Sequence, residues 1–82
     1  MVSHEREFRE FIADLESAER YVKFLHDISR TSGMDISPSS LRSQDDIESF
    51  ASRLTQSYSP KSVSNYRSVM KKYVNMVCDL GL

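Results

Sequence analysis

Apolar residues recur early in the chain at Phe8, Phe11, Ile12, Leu15 and Ala18, then at Tyr21, Val22, Leu25 and Ile28. Spacings of three and four hold them on one side of a 3.6-residue turn, so the pattern predicts helix from Phe8 to about Arg30. "DLES" at Asp14 to Ser17 offers capping side chains without Gly or Pro and predicts a break or bend near Glu16. The stretch "RTSGMDISPSS" that follows is rich in Ser with Gly, Asp and Pro, and reads as a connection with room for one helical turn. Within it, Ser37 before Pro38 has the form of an N-cap followed by proline at the first helical position.

A further helix starts at "SQDD", where Ser43 caps the following amides and Asp46 reaches back. Ile47, Phe50, Ala51 and Leu54 form its buried stripe. The last helix has the clearest start, Ser59 as N-cap and Pro60 as first residue. Its stripe is Val63, Tyr66, Met70, Tyr73, Val77 and Leu80, and Gly81 supplies the stop. No segment alternates with period two, so no strand is predicted, and no internal repeat is visible. The expected architecture is all-α, a small bundle of four to five helices formed by residues 1–82 as a single domain.

Composition narrows what such a bundle can do. Eighty-two residues supply one small core and leave little room for a deep substrate cavity. Cys78 is the only cysteine, which excludes an internal disulfide and a zinc site built from paired thiolates. No cofactor or metal is expected. The start of the chain, Met1 to Glu10, is polar and lacks the apolar run of a signal sequence or a membrane span. The expectation is a soluble, cytoplasmic protein with no membrane partner.

The formal net charge is −1, but it is unevenly spread. Residues 1–30 hold seven acids and five Lys/Arg, residues 31–58 hold four and two, and residues 59–82 hold one and four. Winding the last helix at about 100° per residue places Lys61, Ser64, Asn65, Ser68, Lys71, Lys72 and Asn75 opposite the apolar stripe, with Arg67 at its edge. Lys and Arg neutralise phosphates, Ser and Asn donate to phosphate oxygens, and Asn or Arg also read base edges. Any surface helix needs a polar face. Here, however, no acid occurs from Ser59 to Cys78, whereas a merely solvated face usually mixes both signs. Arg20, Lys23 and Arg30 form a weaker counterpart on the earlier helix, interspersed with Glu19 and Asp27. Tyr21, Phe24 and Leu25 beside them read as core.

Three stretches in this order resemble the core-binding domain of tyrosine recombinases, the SAM-like helical domain of phage integrases. They are "SAERYVKFLHDIS", "ISPSSLRSQDDIESFASRL" and "YSPKSVSNYRSVMKKYVNMVCDLGL", together covering residues 17–82. The last is similar to the family's Ser-Pro-x-Thr-x-x-x-Tyr-x-x-x-Leu-x-x-Phe helix, with Ser62 in place of Thr, Met70 in place of Leu and Tyr73 in place of Phe. The resemblance implies an orthogonal bundle packed against one side of double-stranded DNA, presenting the helix around Arg20 to Arg30 and the helix from Pro60. It also implies that a separate catalytic domain follows in the parent protein. On that reading Lys61, Ser64, Asn65, Arg67, Ser68, Lys71 and Lys72, with Arg20, Lys23 and Arg30, are the DNA contacts.

No catalytic set is expected in this chain. His4, His26 and Cys78 form no nucleophile and base pair, Tyr66 and Tyr73 fall on the apolar stripe, and Tyr58 staples the entry to the last helix. Asp45, Asp46 and Glu48 suit helix capping, since no Gly-centred calcium loop accompanies them. The isolated domain is expected to be a monomer or to self-associate weakly. The competing expectation is a SAM-like protein-interaction or assembly domain, with attachment to a nuclease as one form of it.

Overall fold

Asp14 divides the N-terminal helical pattern in two. Its carboxylate accepts from the Glu16 N–H (3.2 Å) and the Ser17 hydroxyl (3.0 Å), while Ala13 turns into the left-handed region (φ 66°) and closes the preceding helix. The break therefore falls two residues before Glu16, at the residue whose short side chain can cap. The computed structural model describes the backbone of residues 1–82 and every side chain except that of Leu15, so the expected burial of Leu15 lies outside the described residues. The helices are α1 (Glu5–Ile12), α2 (Leu15–Ser32), α3 (Gln44–Leu54) and α4 (Pro60–Leu80).

The break lets α1 fold back along α2 and touch α4. Phe8 is fully buried, its ring centroid 5.9 Å from that of Tyr73. Arg9 meets Glu19 of α2 at 2.6 Å, and Glu5 pairs with His26. Phe8 and the half-buried Ile12 take the inner side of α1, which turns Phe11 outward at 36% exposure. Phe11 is thus not part of the core.

Helix α2 runs to Ser32, where Gly33 adopts φ 72° and donates to the Ser29 carbonyl (3.0 Å). A Cβ at Gly33 would meet nothing within 4 Å, so substitution there costs backbone strain alone. Gly33→Ala is expected to destabilise by about 1 kcal/mol, the cost of holding an L-residue in this region, read as a lowered denaturant midpoint with an unchanged slope. The connection after it holds one turn, in which the Ser40 and Leu41 N–H groups donate to the Ser37 carbonyl (3.1 and 2.9 Å). Reciprocal bonds between Ser37 and Ser40 hold this turn, and it remains too short to be a fifth helix.

The remaining caps follow the sequence. Ser43 accepts from the Asp46 N–H and Ser59 from the Ser62 N–H, each at 3.4 Å. The Asp46 carboxylate reaches the Arg42 N–H (3.0 Å), one residue further back than Ser43. Ile47, Phe50, Ala51 and Leu54 are all buried. Gly81 closes α4 at φ 68°. Helix α4 touches all three other helices, so its buried face is wider than one stripe and includes Val69 and Met76. Leu80, one turn beyond that contact, is 48% exposed and lies outside the core.

One feature has no periodic signature in the sequence. Val2 and Ile36 form a single parallel bridge: the Ser3 N–H donates to the Ile36 carbonyl (2.8 Å) and the Ile36 N–H to that of Met1 (2.9 Å). The Tyr73 hydroxyl donates to the Ser3 carbonyl (2.8 Å), tying this segment to α4. Among the described residues no helix is long and apolar enough to cross a membrane.

Candidate nucleic-acid interface

Proline and serine fix where α4 begins, and that start sets which residues its buried face takes. With Val63, Tyr66, Val69, Met70 and Tyr73 facing inward, Lys61, Ser64, Asn65, Ser68 and Lys71 are exposed and Lys72 is half-buried. These residues form a ridge bordered by α2 on one side and α3 on the other. Between Lys61 and Lys72 the ridge rises about 16 Å at 1.5 Å per residue.

On the α2 side lies a hollow of about 310 Å³ lined by Arg20, Tyr21, Phe24, Asn65, Ser68 and Val69. The Lys72 ammonium and the Arg20 guanidinium each lie 5.6 Å from the centre of the Tyr21 ring, within cation–π range. Two basic segments separated by some fifty residues thus converge on one tyrosine. Among the described residues no carboxylate lines this hollow. On the α3 side a hollow of about 260 Å³ is lined by Gln44, Ile47, Ser64, Arg67, Ser68 and Lys71.

The ten residues singled out from the sequence therefore divide. Arg20, Asn65 and Ser68 meet at the first hollow, where Lys72 lies over the ring of the lining residue Tyr21; Ser64, Ser68 and Lys71 meet at the second, with Lys61 further along the same ridge. Arg67 lines the second hollow, but its guanidinium is held by Glu48 of α3. Arg30 donates to Asp27 (2.6 Å), and neither Arg30 nor Lys23 lines the α2–α4 hollow. The Ser68 hydroxyl donates to the Ser64 carbonyl (3.3 Å) and so lies along its own helix. Among the described residues Arg20, Lys61, Lys71 and Lys72 form no salt bridge, and neither does Lys23, which lies on α2 outside the α2–α4 hollow. The first four are the cations free to meet an anion on this surface.

Tyr21, Phe24 and Gln44 also belong to this surface, although Tyr21 and Phe24 read as core from the sequence. The half-buried state of both rings explains the difference. Each packs against the core on one edge, Phe24 edge-on to Tyr66 at 5.5 Å, and lines the hollow as well. The signal for Tyr21 was its place directly after Arg20, on the α2 flank that turns from core to solvent.

In the connection before α4, half-buried Tyr58 lies edge-on to Tyr66 (4.9 Å) and bonds with the Thr31 hydroxyl (2.9 Å). Burial, then the hydrogen bond with Tyr58 and the nearby charges of Tyr58 and Asp27, push the Tyr66 hydroxyl up to about 12, against a smaller opposing effect of Arg30. This phenol stays protonated at neutral pH and serves packing. Comparison with protein-family models, curated proteins and solved structures finds no match to this chain.

Proposed function

We propose that this chain is a DNA-binding helical domain of the SAM-like type that serves tyrosine recombinases as a core-binding domain. It holds duplex DNA against the α2–α4 face so that a separate catalytic domain can be positioned, and contributes no catalytic group of its own. The observation that supports this reading is the convergence of Arg20 with Lys72, beside Lys71 and Lys61, on a ridge bearing Asn65, Ser64 and Ser68 and no acid. Acids elsewhere account for the overall charge of −1, and several are already paired.

Each phosphate contact contributes about 0.9 to the dependence of log affinity on log salt, so four free cations set a slope of about −3.6. Affinity for duplex is then expected to fall roughly 150-fold between 50 and 200 mM salt, measured by fluorescence anisotropy. A slope near zero with any duplex overturns the proposal. A slope well above 4 would mean that Arg67 and Arg30 leave their carboxylates to join the interface.

A second reading, contact with a protein partner or a second copy, has one observation behind it. Phe11, Leu80 and Leu82 stay exposed at 36%, 48% and 37%, and Phe11 shares a separate hollow with Asn75, Cys78 and Asp79. On this reading sedimentation shows concentration-dependent association that Phe11→Ser abolishes and that salt leaves intact. Monomeric behaviour at high concentration removes the self-association form of it.

A further inference from the structure

The hollow between α2 and α4 differs chemically from the others bordering the ridge. Tyr21 and Phe24 give it aromatic surface, Asn65 an amide with both donors and an acceptor, and Ser68 a hydroxyl. Arg20 and Lys72, both unpaired, stand over the Tyr21 ring. The α3-side hollow beside Lys71 has no aromatic residue, and the hollow that includes Tyr58 has Arg67 as its cation, which Glu48 neutralises. Only the first, among the described residues, joins a ring to uncompensated positive charge.

That combination is more than phosphate binding requires. A groove that only tracks the backbone needs cations and hydroxyls. Aromatic rings combined with cations are the means by which proteins hold unstacked bases, the ring taking the base face and the cation the adjoining phosphate. A volume of about 310 Å³ stands at the lower limit of small-ligand sites, suited to a single planar ring system and too small for a helix or a strand of another protein.

We propose that this hollow seats one unpaired nucleobase, with Tyr21 stacking on it, Asn65 meeting its edge, and Arg20 and Lys72 turning to the flanking phosphates. The inference rests on the DNA-binding reading above. It changes the preferred partner from uniform duplex to DNA with an unpaired or extruded nucleotide.

Three oligonucleotides test it: an intact duplex, the same duplex with one unpaired thymidine, and the same bulge with an abasic residue replacing the thymidine. The chain is expected to bind the thymidine bulge about 10-fold more tightly than either of the others, in keeping with one base stacked on an aromatic side chain. Tyr21→Ala is expected to erase the difference between the thymidine bulge and the abasic bulge, and Tyr21→Phe to preserve it. If Tyr21→Ala lowers the melting temperature enough to cloud the comparison, exposed Asn65→Ala substitutes for it and is expected to narrow the preference for the bulge over the abasic control. Equal, salt-dependent affinity for all three DNAs overturns the base seat and leaves the duplex reading intact. Equal affinity for thymidine bulge and abasic bulge, both above duplex, also overturns it, because bending rather than a base would then be recognised. Absence of binding to every DNA overturns both.

Discussion

The K71E/K72E variant is expected to bind duplex DNA roughly 60-fold more weakly than the unmodified chain at 0.1 M salt, and its salt slope is expected to halve. The size follows from counterion release. Two lost phosphate contacts remove about 1.8 from the slope, and at 0.1 M salt each unit of slope corresponds to about tenfold in affinity. Two new carboxylates facing phosphate make this a lower bound. Lys71 and Lys72 form no salt bridge among the described residues, and Lys71 is exposed, so reversal disrupts no ion pair of the fold. Unchanged circular dichroism and melting confirm that the fold is intact. Arg67→Ala is the internal control. Because Glu48 already holds that guanidinium, its removal is expected to alter duplex affinity no more than about twofold, as for an exposed surface pair worth under 1 kcal/mol. If K71E/K72E binds as well as the unmodified chain, the ridge is a solvated helix face and the DNA reading fails.

The contrast between Lys72 and Arg67 shows what a single helix can and cannot reveal in sequence. Both lie on α4, and a helical wheel marks both as basic surface. What separates them is tertiary: Glu48 lies on α3 and Tyr21 on α2, and the wheel of α4 contains neither. Paired charges on different helices leave no local pattern, so Arg67 read as a free cation. Tyr21 read as core for the converse reason, since periodicity places a residue on a flank without telling whether the neighbouring helix covers it.

Helix existence was easier to read because it depends on local chemistry. Ser43, Ser59, Pro60 and Gly81 act within four residues of themselves, and each occupies the helix-end position expected. The break between α1 and α2 was legible only in part. Asp14 is a good cap on any reading, but the turn also needs Ala13 at positive φ, which no alanine signals; packing of Phe8 and the Arg9–Glu19 pair offset that strain. A one-pair bridge such as Val2–Ile36 has no period at all, and the Tyr73–Ser3 bond joins positions 70 apart in sequence. All-helical architecture of four to five helices was readable, and four are present; which face of α1 turns inward was not readable.

Tyr73 carries the largest expected effect on stability. Its side chain is fully buried, its ring packs on Phe8, and its hydroxyl holds the Ser3 carbonyl. Tyr73→Ala removes an aromatic ring from a closed core, at a cost of about 3–5 kcal/mol by analogy with other buried aromatics. Leaving the Ser3 carbonyl without its partner adds to that. A domain of this size has roughly 4–12 kcal/mol in total, so the variant is expected to lose a third or more of its stability and its denaturant midpoint accordingly. Tyr73→Phe keeps the ring and loses only the hydrogen bond, about 1 kcal/mol. Alkaline pH separates the two contributions. Burial, with a smaller effect of the Glu7 charge, pushes the Tyr73 hydroxyl from 10 up to about 12. The folded chain therefore keeps a proton that the unfolded chain releases above pH 10. Stability is complete below that value and falls as pH rises toward 12, by roughly 3 kcal/mol if Tyr73 acts alone. Tyr66 adds a fall of the same sign over the same window. In Tyr73→Phe the phenol is gone, so denaturant midpoints measured from about pH 9 to 12 are expected to decline less steeply than in the unmodified chain. Equal declines would mean that Tyr73 ionises without leaving the core, and would remove it as the tie between α4 and the Val2–Ile36 bridge.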